Sequence, residues 1–171
     1  DSGWVNITDD LYFLDKSFIW QSERNGYAHL YQFSYEGKLI NQITDGNWAL
    51  RSSGGTFWMR QSVVNIDEKN NQIYYTAMKE SSVERHLYRS SLDGKTMEKL
   101  SGPAGVHKIY FNEGGSYYLD VFSDRTSPPT LILHNKDGEA RIHLLEIGQR
   151  FWQSMTCRPQ NCLRFRPEII L

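Results

Sequence analysis

Five histidines, two cysteines and Ser116, which follows two glycines, are the residues of this 171-residue chain whose types and spacing could do chemistry. A serine nucleophile for acyl transfer needs a Gly-x-Ser-x-Gly elbow, because the glycines let the backbone turn sharply enough to expose the hydroxyl. Gly114-Gly115-Ser116-Tyr117-Tyr118 comes closest and fails at its fifth position. It also lies between two strand patterns, which makes it a hairpin turn and not a strand-to-helix elbow. The sequence therefore predicts no catalytic residue.

The histidines read as structural. His29 and His86 occupy the same position of an internal repeat, and a residue that recurs by position is expected to bond a neighbouring strand. His107, His134 and His143 fall in strand patterns and lack the cysteine or carboxylate spacing of a metal site. Cys157 and Cys162 form a Cys-x4-Cys pair, too wide for a zinc knuckle and without a second pair. They are two free thiols, or one local disulfide if the compartment is oxidising. No metal or other cofactor is expected. Glu23 is expected to hold a turn, or to pair with Arg24 or Arg85 at the surface, where such a pair contributes about 0–1 kcal/mol.

The elements that carry these residues repeat three times. His29-Leu30-Tyr31 precedes Glu36-Gly37-Lys38, His86-Leu87-Tyr88 precedes Asp93-Gly94-Lys95, and Leu131-Ile132-Leu133-His134 precedes Asp137-Gly138-Glu139. Each unit reads strand, strand, strand, turn, strand. The first gives Leu11–Leu14, Phe18–Gln21, His29–Phe33 and Leu39–Thr44. The second gives Val63–Ile66, Gln72–Ala77, His86–Arg89 and Met97–Leu100. The third gives His107–Phe111, Ser116–Phe122, Thr130–His134 and Ile142–Glu146. A small sheet of this kind cannot bury both faces alone and must stack on copies of itself. The fold class is all-β, a partial β-propeller of about three four-stranded antiparallel blades. Residues 1–146 divide into blades at about 1–48, 49–102 and 103–146.

The interval from Gly37 to Gly94 is 57 residues and that from Gly94 to Gly138 is 44. The excess lies in Gly46–Gln61, whose tip carries Phe57, Trp58 and Met59 and is expected to pack on a neighbour. Residues 147–171 depart from the repeat, with Arg150, Arg158, Arg164 and Arg166 against Glu168, and read as a connector toward another domain.

Bulk properties exclude several classes. The net charge is −1, which leaves no electrostatic footprint for nucleic acid. Apolar runs are short, so no membrane segment is expected. No charged-then-apolar leader stands at Asp1.

Several strings resemble the dipeptidyl peptidase IV family of serine peptidases, in the last three blades of its N-terminal propeller. They are Trp20-Gln21-Ser22-Glu23-Arg24-Asn25-Gly26-Tyr27 running into His29-Leu30-Tyr31, then Ile43-Thr44-Asp45-Gly46-Asn47-Trp48, Glu84-Arg85-His86-Leu87-Tyr88 and Ser127-Pro128-Pro129. Trp4-Val5-Asn6-Ile7-Thr8-Asp9 is similar to the stretch that opens this region, and Phe151-Trp152 with Arg166-Pro167-Glu168-Ile169 to the connector that follows it.

The resemblance implies a propeller of about eight blades, within the usual ~4–8 range or at its edge, that gates access to an α/β-hydrolase domain. It implies removal of N-terminal dipeptides from peptides, often after Pro or Ala. This chain would be a non-catalytic fragment of such an enzyme, inactive alone, with the peptide substrate, the hydrolase domain and the other blades as partners. In the family, substrate amines are held by a Glu pair of an earlier blade, and Glu23 is not that pair. Two pocket positions after Gly3-Trp4-Val5, basic and aromatic in the best-known member, fall here on Ile7 and Thr8, giving less apolar area and no charge. The compartment stays open: periplasmic or extracellular for an exported bacterial member, cytoplasmic for the cytosolic eukaryotic branch. The alternative reading is an independent propeller-type protein-binding module. On either reading, an arc of three blades leaves apolar end faces and is expected to self-associate.

Overall fold

The computed structural model describes residues 8, 10–52 and 61–146. Ile7, the insert tip Phe57-Trp58-Met59, the pair Cys157 and Cys162, and the expected connector 147–171 lie outside the described residues.

Twelve strands form three four-stranded antiparallel sheets, each a meander in chain order. The first holds β1 (Leu11–Phe13), β2 (Ser17–Ser22), β3 (His29–Ser34) and β4 (Leu39–Gln42). The second holds β5 (Val63–Asp67), β6 (Gln72–Ala77), β7 (His86–Ser91) and β8 (Met97–Lys99). The third holds β9 (Val106–Phe111), β10 (Tyr117–Ser123), β11 (Thr130–Asn135) and β12 (Ala140–Glu146). The expected partial propeller is present, blade for blade.

Side chains alternate across a strand, so each sheet has two faces. One face of the first sheet, with Ile19, Leu30 and Ile43, packs on Val63, Ile73, Tyr75 and Tyr88 of the second. The other face of the second sheet, with Tyr74, Leu87 and Leu100, packs on Ile109, Phe111 and Tyr118 of the third. The core is therefore a pair of seams between sheets.

The fourth strand of the first two sheets stops short of its expected end. The β4 ladder ends here because, although the Ile43 amide still donates to the Leu30 carbonyl at 2.9 Å, the Leu30 amide donates to the Thr44 hydroxyl at 3.0 Å in place of a backbone carbonyl. The second sheet repeats this, the Leu100 amide donating to the Leu87 carbonyl at 2.9 Å and the Leu87 amide to Ser101 Oγ at 3.1 Å.

The repeated Gly turns set how closely the sheets stack. Gly94 and Gly138 both have positive φ, which glycine adopts without steric cost. A Cβ at Gly94 would lie 2.5 Å from the Gln42 carbonyl oxygen of the first sheet, and one at Gly138 would lie 3.1 Å from the Leu100 carbonyl oxygen of the second. Each turn is pressed against the end of the preceding sheet's fourth strand.

Candidate functional site

Three of the five histidines, His29, His86 and His107, are buried at 1 % exposure. His29 opens β3 and is 1 % exposed. Its Nε2 donates to the Gly46 carbonyl at 3.0 Å, and that fixes the proton on Nε2 when the ring is neutral. Its Nδ1 then accepts from the Thr44 hydroxyl at 3.1 Å, and that hydroxyl accepts from the Leu30 amide. The result is one directional chain from amide to hydroxyl to ring to carbonyl. Burial lowers the His29 pKa, with the Gly46 carbonyl and Asp45 opposing.

His86 repeats the pattern in the second sheet. Its Nδ1 meets Ser101 Oγ at 2.8 Å, and its Nε2 meets the Glu84 carboxylate at 2.8 Å. The third sheet has Thr130 at the equivalent position and lacks the ring.

Trp48 locks the first clasp. Its indole meets the His29 ring edge-on at 4.9 Å and stacks over Tyr75 and Tyr88 of the second sheet at 6.5 and 6.3 Å. Burial pushes the Tyr75 phenol up to about 12, with the Ser90 hydroxyl opposing. Burial, then Glu80, raises Tyr88 as well.

His107 and Asp120 resemble the orienting pair of a triad, with Nδ1 and Oδ2 at 2.7 Å. The other ring nitrogen, however, is turned to the Pro103 carbonyl at 2.9 Å. Neither nitrogen of the His107 ring faces a serine hydroxyl, so the pair cannot activate a nucleophile in this arrangement. Ser116, the serine nearest to an elbow, sits in the β9–β10 hairpin turn, where its amide donates to Asn112 Oδ1 at 3.0 Å. His134 turns Nδ1 to the Gly138 carbonyl at 3.1 Å and stacks on Tyr118. His143 lies exposed on β12. Among the described residues, no group of three or more His, Cys, Asp or Glu is placed to hold a metal ion.

Of the two pocket positions, Thr8 is described. Its hydroxyl accepts from the Asp10 amide at 3.1 Å, so it shapes the turn into β1. Asp10 is the residue that sequence reasoning missed. Its buried carboxylate accepts from the Ser62 amide at 2.9 Å, from Ser62 Oγ at 2.5 Å, from the Val63 amide at 3.3 Å and from the Tyr12 hydroxyl at 2.6 Å. It ties the entry of the first sheet to the entry of the second. With its oxygens filled by donors it acts as an anchor. Glu23, expected to hold a turn, accepts from the Gly26 amide through its backbone carbonyl at 2.9 Å.

The residues of the recognisable strings thus have structural roles: His29, Thr44, Gly46 and His86 bind strand to strand, and Trp48 packs at the seam. The family described as "Dipeptidyl peptidase IV (DPP IV) N-terminal region" matches residues 1–129. The chain belongs to the dipeptidyl peptidase IV family.

Relatives in this family are of modest identity. The chain is 26% identical over 163 residues to the protein named probable dipeptidyl-aminopeptidase B of Arthroderma benhamiae, covering 88% of this chain and 17% of that one. It is 27% identical over 147 residues to dipeptidyl peptidase 4 of Arthroderma otae, covering 82% and 18%. The chain therefore spans under a fifth of the length of the curated relatives it matches. The crystal structure of Porphyromonas gingivalis dipeptidyl peptidase 4 superposes with a TM-score of 0.70 at 23% identity, over 84% of this chain and 19% of that one. That likeness establishes the shared propeller fold.

Proposed function

We propose that this chain is a non-catalytic arc of the propeller of a dipeptidyl-peptidase-like serine exopeptidase. The whole enzyme removes N-terminal dipeptides from peptides. The arc helps to wall and gate the route to a hydrolase domain supplied by another part of the polypeptide. The observation that carries this reading is that its distinctive residues are engaged in holding strand to strand and, through Asp10, sheet to sheet. Both ring nitrogens of His29, His86 and His107 are taken by neighbours. The Asp10 carboxylate is filled by donors. No Gly-x-Ser-x-Gly pentapeptide occurs in the sequence.

Ile7 and Thr8, which precede β1 in sequence, flank the substrate in the assembled enzyme and offer it less apolar area than an aromatic side chain and no charge. Residues 147–171 lead toward the hydrolase domain.

A chromogenic dipeptide-proline substrate tests the reading. The purified 171-residue chain gives no turnover above buffer, and the parent polypeptide carrying the hydrolase domain does. Turnover that copurifies with the short chain would overturn the non-catalytic assignment.

A further inference from the structure

We propose that the seam between the second and third sheets binds an internal water, held between the Asp120 carboxylate and the Tyr118 hydroxyl. The two internal seams are built on the same rungs with different side chains. In the second sheet the rung Tyr75–Tyr88 faces the first sheet. Trp48 stacks over both rings and meets His29 edge-on, so this part of the seam is filled by aromatic carbon. Both phenols are partnered, Tyr75 by Ser90 Oγ at 2.7 Å and Tyr88 by the Glu80 carboxylate at 3.1 Å.

The corresponding rung of the third sheet is Asp120–Ile132, since Ile132 follows Thr130 as Tyr88 follows His86. His107 takes the place of Trp48, its ring centroid 5.2 Å from that of His86. An imidazole, a carboxylate and an isoleucine occupy less volume than an indole and two phenols. The exchange also leaves polar atoms inside the seam. Of the six buried side-chain atoms without a hydrogen-bond partner among the described residues, four stand on this one face: Tyr118 Oη, Asp120 Oδ1, Thr130 Oγ1 and His134 Nε2.

Asp120 and Tyr118 are the centre of this polar strip. They stand two residues apart on β10 and so share a face. Asp120 turns Oδ2 to the His107 ring at 2.7 Å and has Oδ1 left over. Burial first, and then the Asp120 charge, push the Tyr118 phenol up, so the two groups act on each other inside the seam. Yet no hydrogen bond joins them directly. A carboxylate oxygen accepts and a phenol donates, so a water that donates to Oδ1 and accepts from Oη completes both. Buried waters typically make about 2–4 such bonds. Tyr118 is 1% exposed and Asp120 3%, which admits a small molecule and not another segment of chain. Leaving a buried acceptor and a buried donor unpaired costs more than immobilising one water.

Crystal structures of the full 171-residue chain, wild type and Tyr118→Phe, test the proposal together with urea unfolding of both. Wild type shows an ordered water within hydrogen-bond distance of both Asp120 Oδ1 and Tyr118 Oη, and the variant loses it or shows it displaced. The phenylalanine keeps the ring that packs on Phe111 and His134, so the strands are expected to persist. The unfolding midpoint decides by its sign. A hydroxyl buried dry contributes nothing, so its removal would leave the midpoint unchanged or raise it. A hydroxyl that holds the water lowers the midpoint when it is removed. A midpoint that is not lowered overturns the proposal. So does a direct bond between Tyr118 and Asp120, a protein group seated on Asp120 Oδ1 in place of water, or a cation there, recognised by its more numerous oxygen contacts.

Discussion

The Thr44 hydroxyl joins the His29 ring at 3.1 Å while it takes the Leu30 amide at 3.0 Å. Ser101 serves His86 and Leu87 in the same way at 2.8 and 3.1 Å. In both pairs the hydroxyl stands 15 residues after the histidine. One small side chain thus ends a strand ladder and fixes a ring across the sheet.

Thr44→Val keeps the shape and removes the hydroxyl. It leaves a buried amide donor and a buried ring nitrogen without partners, each costing about 1–3 kcal/mol. The expected destabilisation is about 2–4 kcal/mol by urea unfolding, and Thr44→Ser recovers most of it. A loss under about 0.5 kcal/mol for the valine variant would mean that the clasp contributes nothing net.

Stability falls on mild acidification, and His29 supplies part of the slope. Burial lowers its pKa from 6.5, so the folded chain holds the ring neutral while the unfolded chain takes a proton. The unfolded state then binds more protons, and stability rises with pH across that window. The contribution is complete above 6.5 and is lost as pH falls through the lowered folded value. His29→Gln flattens this part of the curve in chemical denaturation at stepped pH. A variant slope equal to wild type below 6.5 would remove His29 from the account.

Asp10→Asn turns an amide group toward donors that now meet a carboxylate. Hydrogen bonds to a charged group contribute about 1.5–3 kcal/mol, so a destabilisation of that order is expected. The change is local: hydrogen exchange at the Ser62 and Val63 amides speeds up more than at the Leu87 amide, which Ser101 holds. Uniform acceleration at all three sites would argue against an anchoring role.

Gly37→Ala and Gly94→Ala separate backbone strain from stacking. Both residues have positive φ, and forcing an alanine there costs about 1–2 kcal/mol. Only the Gly94 substitution also drives a Cβ to 2.5 Å from a backbone carbonyl oxygen. It is expected to lose at least about 1 kcal/mol more than the Gly37 variant, in line with overpacked sites. Equal losses in thermal or urea unfolding would mean that the seam yields freely.

Much of the architecture was legible because alternation and turn chemistry are local properties. Asp93-Gly94 and Asp137-Gly138 announce tight turns, and the apolar pattern between them has the period of a strand. The repeated histidines also announced themselves as structural, since a ring at the same place in two units suits a repeated contact. Asp10 gave no such signal. A single aspartate before a strand is ordinary in sequence, and its partner Ser62 is 52 residues away. His107 was legible as a strand residue, but not its partner, because Asp120 reaches it across a β9–β10 register that side-chain pattern alone leaves unassigned. The strand ends at Gln42 and Lys99 were also set by side chains, Thr44 and Ser101, that replace a carbonyl in the ladder.

By itself the chain of residues determined the repeat, its strand order and its turns, because those depend on neighbours a few positions apart. Only the tertiary structure decided which face of each sheet covers and which receives. It alone decided that Gly94 and Gly138 touch a preceding sheet, and that the histidines are clasps between strands. Those outcomes depend on how twisted sheets stack, and stacking brings together residues whose separation in sequence carries no periodic mark.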